Sequence, residues 1–248
     1  MVLQVSPIKI KPNITWEALP ADFVLPDDPV ENIQQPILAA ALTDALGAAG
    51  LIQPEMLIGS NFGLVASVNS RTIVKAPDWF YVLKVYPIGE EFTRRSYTPN
   101  LEGEPVAIAM EFLSETEGGE LSIRATPPYG KLYFYEQILQ VATYVIYDPA
   151  VPSLEVRCLQ NSRYVLQEAN AQGQVWIPEL ELFLGIWSGT RLGKSMNWLR
   201  WYDRSGKLLL WSAEQVEQER YRAEILAAKL RELGVDPDTL TLTNLKTQ

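Results

Sequence analysis

Histidine is missing from all 248 residues. That absence removes Ser-His-Asp and Cys-His catalytic sets, histidine-ligated zinc and imidazole general bases together. Cysteine occurs once, at Cys158, so the chain forms no internal disulfide and no cysteine-based zinc site. Within LEVRCLQ that thiol reads as a strand residue, buried and inert rather than nucleophilic. No apolar run nears the roughly 18 residues of a membrane-spanning helix. The opening MVLQVSPIKIKPN also lacks the apolar stretch and small-residue cleavage site of a secretory signal, which predicts a cytoplasmic location without membrane contact.

Positive charge is scarce as well, with 21 Lys and Arg against 30 Asp and Glu and a net charge of −9. Affinity for nucleic acid rests largely on cations meeting phosphates, so this balance weighs against an extended DNA track. The local concentrations, Arg94–Arg95 and the set Arg191, Lys194, Arg200, Arg204 and Lys207, read as a solvated, charge-balanced surface. Any catalysis must therefore use carboxylates, lysine, tyrosine or a hard metal ion held by oxygen.

Hydrophobic residues make up 47% and charged residues 21% of the chain, as in ordinary globular domains. Residues 1–30 are proline-rich and read as an irregular lead-in. A helix is predicted from Glu31 to Ala49, stopped at Gly50, with Pro36 in its first turn. Short β-like runs follow at Met56–Ile58, Gly63–Val68, Thr72–Leu83 and Val106–Leu113. PPYGKLYFYEQILQV reads as a helix and ATYVIYDP as an apolar strand. A meander then runs through Leu154–Leu159, Tyr164–Gln167 and Val175–Ile177, with turns at Asn161–Ser162 and Asn170–Gly173. WLRWYDRSGKLLL reads as a last hairpin turning at Arg204–Gly206.

Strands, one helix and more strands predict an α/β fold, a mixed sheet flanked by helices with additional β-hairpins. The main domain is expected over 31–211, an amphipathic C-terminal helix over 212–234 and a tail over 235–248. Ser212 with Gln215 gives a capping-box signature. Val216, Ala223, Leu226, Leu230 and Leu233 then form a short apolar seam. It fits docking onto its own domain or pairing in a homodimer equally well.

Two carboxylates stand out against this background. In VAIAMEFLS both alternating sets are apolar, which marks a central strand covered on both faces. Glu111 projects among the small residues Ala107 and Ala109 near the end of that strand. Asp78 follows Pro77 at the head of another apolar run, and if the two strands are neighbours the acids converge. Like charges so placed require that one keep a proton or that a cation bridge them. A divalent metal answers economically, since magnesium favours one or two carboxylates with waters and a phosphate. The competing reading has Asp78 capping a turn and Glu111 paired with a buried arginine. Lys131 opens the following helix with Tyr135 and Ile138 on its face, and can either reach the acids or snorkel to solvent.

Pro77-Asp78, then MEFLS, then GKLYFYEQ, then ATYVIYDP resembles the Uma-two family of restriction endonucleases. That family belongs to the PD-(D/E)XK nuclease superfamily and is abundant in cyanobacteria. The resemblance runs from roughly Glu31 to Trp187. It implies a restriction-endonuclease-like fold and a metal-dependent endonuclease with DNA as substrate. Asp78 matches the metal-binding Asp, Glu111 the second ligand, and Lys131 a lysine that has migrated from the position now held by Leu113. The Phe112 carbonyl is the expected backbone ligand to Mg2+ or Mn2+, and Glu31 a further helix acid. After Glu111 the family usually carries S-P-S-T, where this chain has the longer SETEGGELSIRATPP. Two alternatives stay open: a catalytically inactive scaffold dimerising through its C-terminal helix, and a phosphohydrolase of small nucleotides. GAAGLIQPEMLIGSNFG has its glycines at the wrong intervals for a phosphate-cradling loop.

Overall fold

The computed structural model describes residues 12–20, 23, 33–89, 92–113 and 121–237. Its centre is a six-stranded sheet made of β2 (Leu57–Gly59), β5 (Trp79–Val82), β6 (Ile108–Phe112), β7 (Thr143–Asp148), β8 (Ser153–Gln160) and β9 (Arg163–Leu166), hydrogen-bonded in that order. β6 and β7 run parallel, and every other neighbouring pair is antiparallel. β6 is therefore interior, with all five of its residues buried, as its two-sided apolar pattern requires.

The strands divide their side chains strictly by alternation. Trp79, Tyr81, Ile108, Met110, Phe112, Val145 and Tyr147 enter one core, while Phe80, Val82, Ala109, Tyr144 and Ile146 enter the other. The first core is closed by α1 (Gln34–Ala48) and by a sheet of β10 (Gln174–Ile177), β11 (Leu182–Arg191) and β12 (Lys194–Tyr202). The second is closed by α2 (Lys131–Tyr133), which continues into a wider π-helical segment over Phe134–Leu139, and by β3 (Leu64–Val68) with its sheet. β1 (Ile14–Thr15) and β4 (Arg71–Lys75) flank β3. Each face of the central sheet thus carries a helix and a small sheet, in keeping with the expected mixed sheet, flanking helices and additional hairpins.

The run Thr72–Leu83 is two strands, not one, broken at Ala76–Asp78. Pro77 has no N–H to give a ladder, and β4 and β5 enter different sheets. The lead-in, expected to be irregular, supplies β1, paired at Ile14 with Val68. The meander also splits, since β8 and β9 extend the central sheet while β10 joins β11. β11 went unread because its apolar residues are interrupted by Gly185 and Gly189. It is the main partner of β12, and the turn near Arg204 closes only a single bridge from Tyr202 to Leu208.

Helix α1 docks through small residues, and tryptophans bond its backbone. Ala39, Ala41 and Ala45 are buried, which lets Trp201 Nε1 reach Leu42 O at 3.2 Å and Trp211 Nε1 reach Ala41 O at 3.0 Å. Beneath lies Arg200, whose side chain is 0% exposed. It donates to Glu214 Oε2 at 2.6 Å and to Leu209 O at 2.9 Å, with its guanidinium 3.3 Å from the Trp211 ring centroid. Glu214 also accepts the Trp211 N–H at 2.8 Å. The cap of α3 (Ser212–Glu232) is therefore Trp211 with Glu214, one residue ahead of the predicted Ser212–Gln215 box. Ser212 instead meets Asp44, and Gln215 Nε2 meets Ala48 O at 3.0 Å. Beyond that docked first turn no residue of α3 is buried, and Val216, Leu226 and Leu233 stand exposed.

Four arginines of the expected solvated, charge-balanced surface are ion-paired, Arg94 with Glu102, Arg191 with Asp44, Arg200 with Glu214 and Arg204 with Glu181, although Arg200 is buried rather than solvated. Cys158 lies half-buried in β8, and burial raises its thiol pKa. No helix among the described residues is long and apolar enough to cross a membrane.

Truncating Glu214 to alanine leaves the Arg200 guanidinium buried without its counter-ion, so Glu214→Ala should lower stability by about 3–5 kcal/mol in urea unfolding. A loss below about 1 kcal/mol would mean that the tryptophan faces alone satisfy the charge.

Candidate active site

The register that pairs Trp79 with Met110 and Phe80 with Ala109, continued one step, sets Asp78 across from Glu111. Opposite positions in an antiparallel pair place their side chains on one face, and the negative charge of Asp78 acts on Glu111. The two acids, 33 positions apart in a sequence with neighbouring strands, are thereby brought to one end of β6. Asp78 is half-buried and its Oδ2 accepts the Phe112 N–H at 2.6 Å. That bond ties it to the backbone of the neighbouring strand.

Glu111 is 1% exposed. Its side chain leaves β6 on the face covered by the helix that begins at Lys131. Lys131 Nζ lies 3.2 Å from Oε2, and the Tyr135 hydroxyl donates to Oε1 at 2.8 Å. Lysine thus reaches inward, and the buried arginine of the competing reading is replaced by an ammonium and a phenol. The helix starts at Lys131 after Gly130, whose place admits no side chain, since a Cβ there would lie 2.1 Å from Ser122 O. Close backbone approach at Gly130 sets where the helix, and hence Lys131, begins.

Electrostatics follow from burial. Desolvation pushes the Glu111 carboxyl up to about 8, and the Asp78 charge pushes it the same way, against the pull of Lys131 and Tyr135. The Tyr135 phenol is driven well above its ordinary range by burial and by Glu111, so it remains a hydrogen-bond donor throughout ordinary pH. Of the two ways to relieve convergent acids, proton retention on Glu111 is the one available without a cation.

The sequence reading missed Gln35. Its Nε2 donates to the Phe112 carbonyl oxygen at 2.8 Å, so that oxygen, the expected backbone ligand, already accepts one hydrogen bond. The signal was legible: Gln35 shares a helical face with Leu38, Leu42 and Ala45, where a polar residue is out of place. Glu31, the further acid expected on the first helix, lies outside the described residues.

Asp78, Glu111 and the Phe112 carbonyl are hard oxygen donors of the kind magnesium or manganese accepts. Among the described residues no group of three or more His, Cys, Asp or Glu side chains is placed to hold a metal. An ion here would accordingly keep several waters, as magnesium does. The donor set fits.

The family model described as "Uma2: Putative restriction endonuclease" matches residues 26–192, which is more than half of the chain. The chain belongs to the Uma2 family. Its mixed sheet with flanking helices is the restriction-endonuclease-like fold. The match spans β3 and β4, the whole central sheet, Asp78, Glu111 and Lys131, and stops in the turn between β11 and β12. No curated protein matches the chain.

The raised Glu111 pKa carries a sign. In the unfolded chain this carboxyl ionises near its ordinary 4.5, whereas in the fold it does so near 8. The metal-free fold therefore binds the proton more tightly than the unfolded chain. That stabilisation is complete below about pH 4.5 and is lost as pH rises toward 8, by an amount on the order of 5 kcal/mol. Without divalent metal, the protein should melt at a lower temperature at pH 8 than at pH 5.5, and Glu111→Gln should flatten the difference. An equal slope in the variant would assign the pH dependence to other groups.

Proposed function

We propose that this Uma2 member is a divalent-metal-dependent DNA endonuclease, with Asp78 and Glu111 as metal ligands, the Phe112 carbonyl as a third protein donor and Lys131 as the catalytic cation. The observation that carries the reading is the meeting of Asp78, Glu111 and Lys131 at one end of the central strand. Family membership supplies the substrate class.

A bound Mg2+ or Mn2+ would supply Lewis-acid polarisation of the scissile phosphate and a lowered pKa for an attacking water. The protein's own groups do the rest. Lys131, held by Glu111 Oε2 at 3.2 Å, presents a positive charge where charge builds on the phosphate, and in a water-poor site such a fixed charge is effective. Tyr135 holds the other carboxylate oxygen and so limits the rotation of Glu111. Asp78 is steadied by the Phe112 N–H. The product is a hydrolysed phosphodiester, with no covalent enzyme intermediate.

A second reading has a specific observation behind it. The seam on α3, with Val216 69%, Leu226 56% and Leu233 78% exposed, suits a second copy of the helix and a homodimeric scaffold that retains the acids without using them. Equilibrium sedimentation separates dimer from monomer, and cleavage separates enzyme from scaffold.

Supercoiled DNA should be nicked or cut only when Mg2+ or Mn2+ is added. Asp78→Ala and Glu111→Ala should each reduce the rate by at least about a hundredfold, the scale of losing a main electrostatic group. Undiminished cutting by either variant would sink the assignment. With positive charge scarce and several arginines paired internally, the protein should also lose DNA affinity only gently as salt rises, since the slope scales with the phosphates neutralised.

A further inference from the structure

The Phe112 peptide group is held from two directions. Its N–H donates to Asp78 Oδ2 at 2.6 Å, and its carbonyl accepts from Gln35 Nε2 at 2.8 Å. Gln35 sits 77 residues earlier, in the first turn of α1, on the sheet face opposite Lys131 and Tyr135. It is 7% exposed, and the α1 positions that follow on its face, Leu38, Leu42 and Ala45, are buried and apolar. A primary amide is a poor choice for such a place on packing grounds, because burying it is unfavourable unless its hydrogen bonds are made. An aliphatic residue would fill the space as well.

The chemistry of the contact suggests what the amide does. A carbonyl oxygen has two lone pairs, and one neutral donor occupies one of them. The amide adds no charge, so the charge at the end of β6 is left to Asp78, Glu111 and Lys131. A lysine or arginine at position 35 would repel a cation, and an ionised glutamate would face the carbonyl with no donor. We propose that Gln35 is a positioning residue of the Asp78–Glu111 site, fixing the Phe112 carbonyl as an oxygen donor beside the two carboxylates. This inference rests on the metal-site reading above, and it brackets that site from both faces of the sheet. α1 steadies the backbone donor while the helix at Lys131 steadies the carboxylate.

Manganese binding to the full chain, measured by titration calorimetry alongside the melting temperature of each metal-free variant, tests the idea. Gln35→Met keeps the bulk and loses the donor, and Gln35→Asn keeps the amide but shortens its reach. Both should raise the Kd for Mn2+ by about tenfold or more, the scale at which partners of metal ligands act. Asp78→Ala should remove saturable binding altogether. Loss in Asp78→Ala with both Gln35 variants within about twofold of wild type would overturn this inference and leave the metal site standing. A wild-type protein with no saturable Mn2+ binding would overturn both. Lower melting temperatures with unchanged Mn2+ affinity would mark Gln35 as a packing residue only, which is also a refutation.

Discussion

An acid on the innermost strand of a sheet must be met by something, and the burial of Glu111 is the constraint on which the rest of the site depends. Water is excluded from both faces of β6 by a helix and a small sheet on each side. A carboxyl placed there gives up its hydration, and neither one ammonium nor one phenol restores it fully. The result is a group with an affinity for protons far above the ordinary carboxylate. Whatever displaces that proton must bring positive charge, which is the physical link between the packing of this sheet and the proposed use of a metal ion.

Arg200 offers a comparison inside the same molecule. It too is wholly buried, yet its guanidinium has the Glu214 carboxylate, the Leu209 carbonyl and the faces of Trp187 and Trp211 around it. Its two terminal nitrogens are held by the bidentate Glu214 carboxylate and the Leu209 carbonyl, its Nε has no hydrogen-bond partner among the described residues, and the pair ties α3 to β12. Glu111 has no such fork. The Arg200 charge has a carboxylate fork opposite it, whereas the Glu111 carboxyl is held by single contacts and binds its proton far more tightly than usual, the kind of perturbed group that gathers at functional sites. The two buried ionisable groups thus differ in setting, Arg200 beside the first core and Glu111 on the face of the second.

The architecture also explains why the candidate site lies at the end of β6. There the ladder of β5 and β6 stops at Trp79–Met110. Pro77 ends the possibility of a backbone donor on one strand, and side chains from Asp78 and Gln35 take over the hydrogen bonds of the Phe112 peptide. A strand end whose backbone is held by side chains presents a carbonyl and two carboxyls in one place. The same exchange in the middle of the sheet would leave polar groups without partners.

Much of this was written in local pattern. The two-sided apolar run around Glu111, the proline before Asp78, the turn at Asn161–Ser162 and the stop at Gly50 each follow from residue chemistry acting over a few positions. The absence of histidine confines any catalysis to carboxylates, lysine, tyrosine or a hard metal ion held by oxygen. What local pattern did not carry was partnership across long separations. The division of the meander between two sheets, the pairing of β11 with β12, the Arg200–Trp211 stack and the Gln35 bond to Phe112 depend on which surfaces meet. Alternation says that a strand has two faces and is silent about what covers them. Amino-acid order determined that two acids and a lysine stand at the ends of apolar elements. Tertiary packing alone decided that they share one desolvated corner, because their energies there are set by excluded water and by neighbours 20 to 77 residues away.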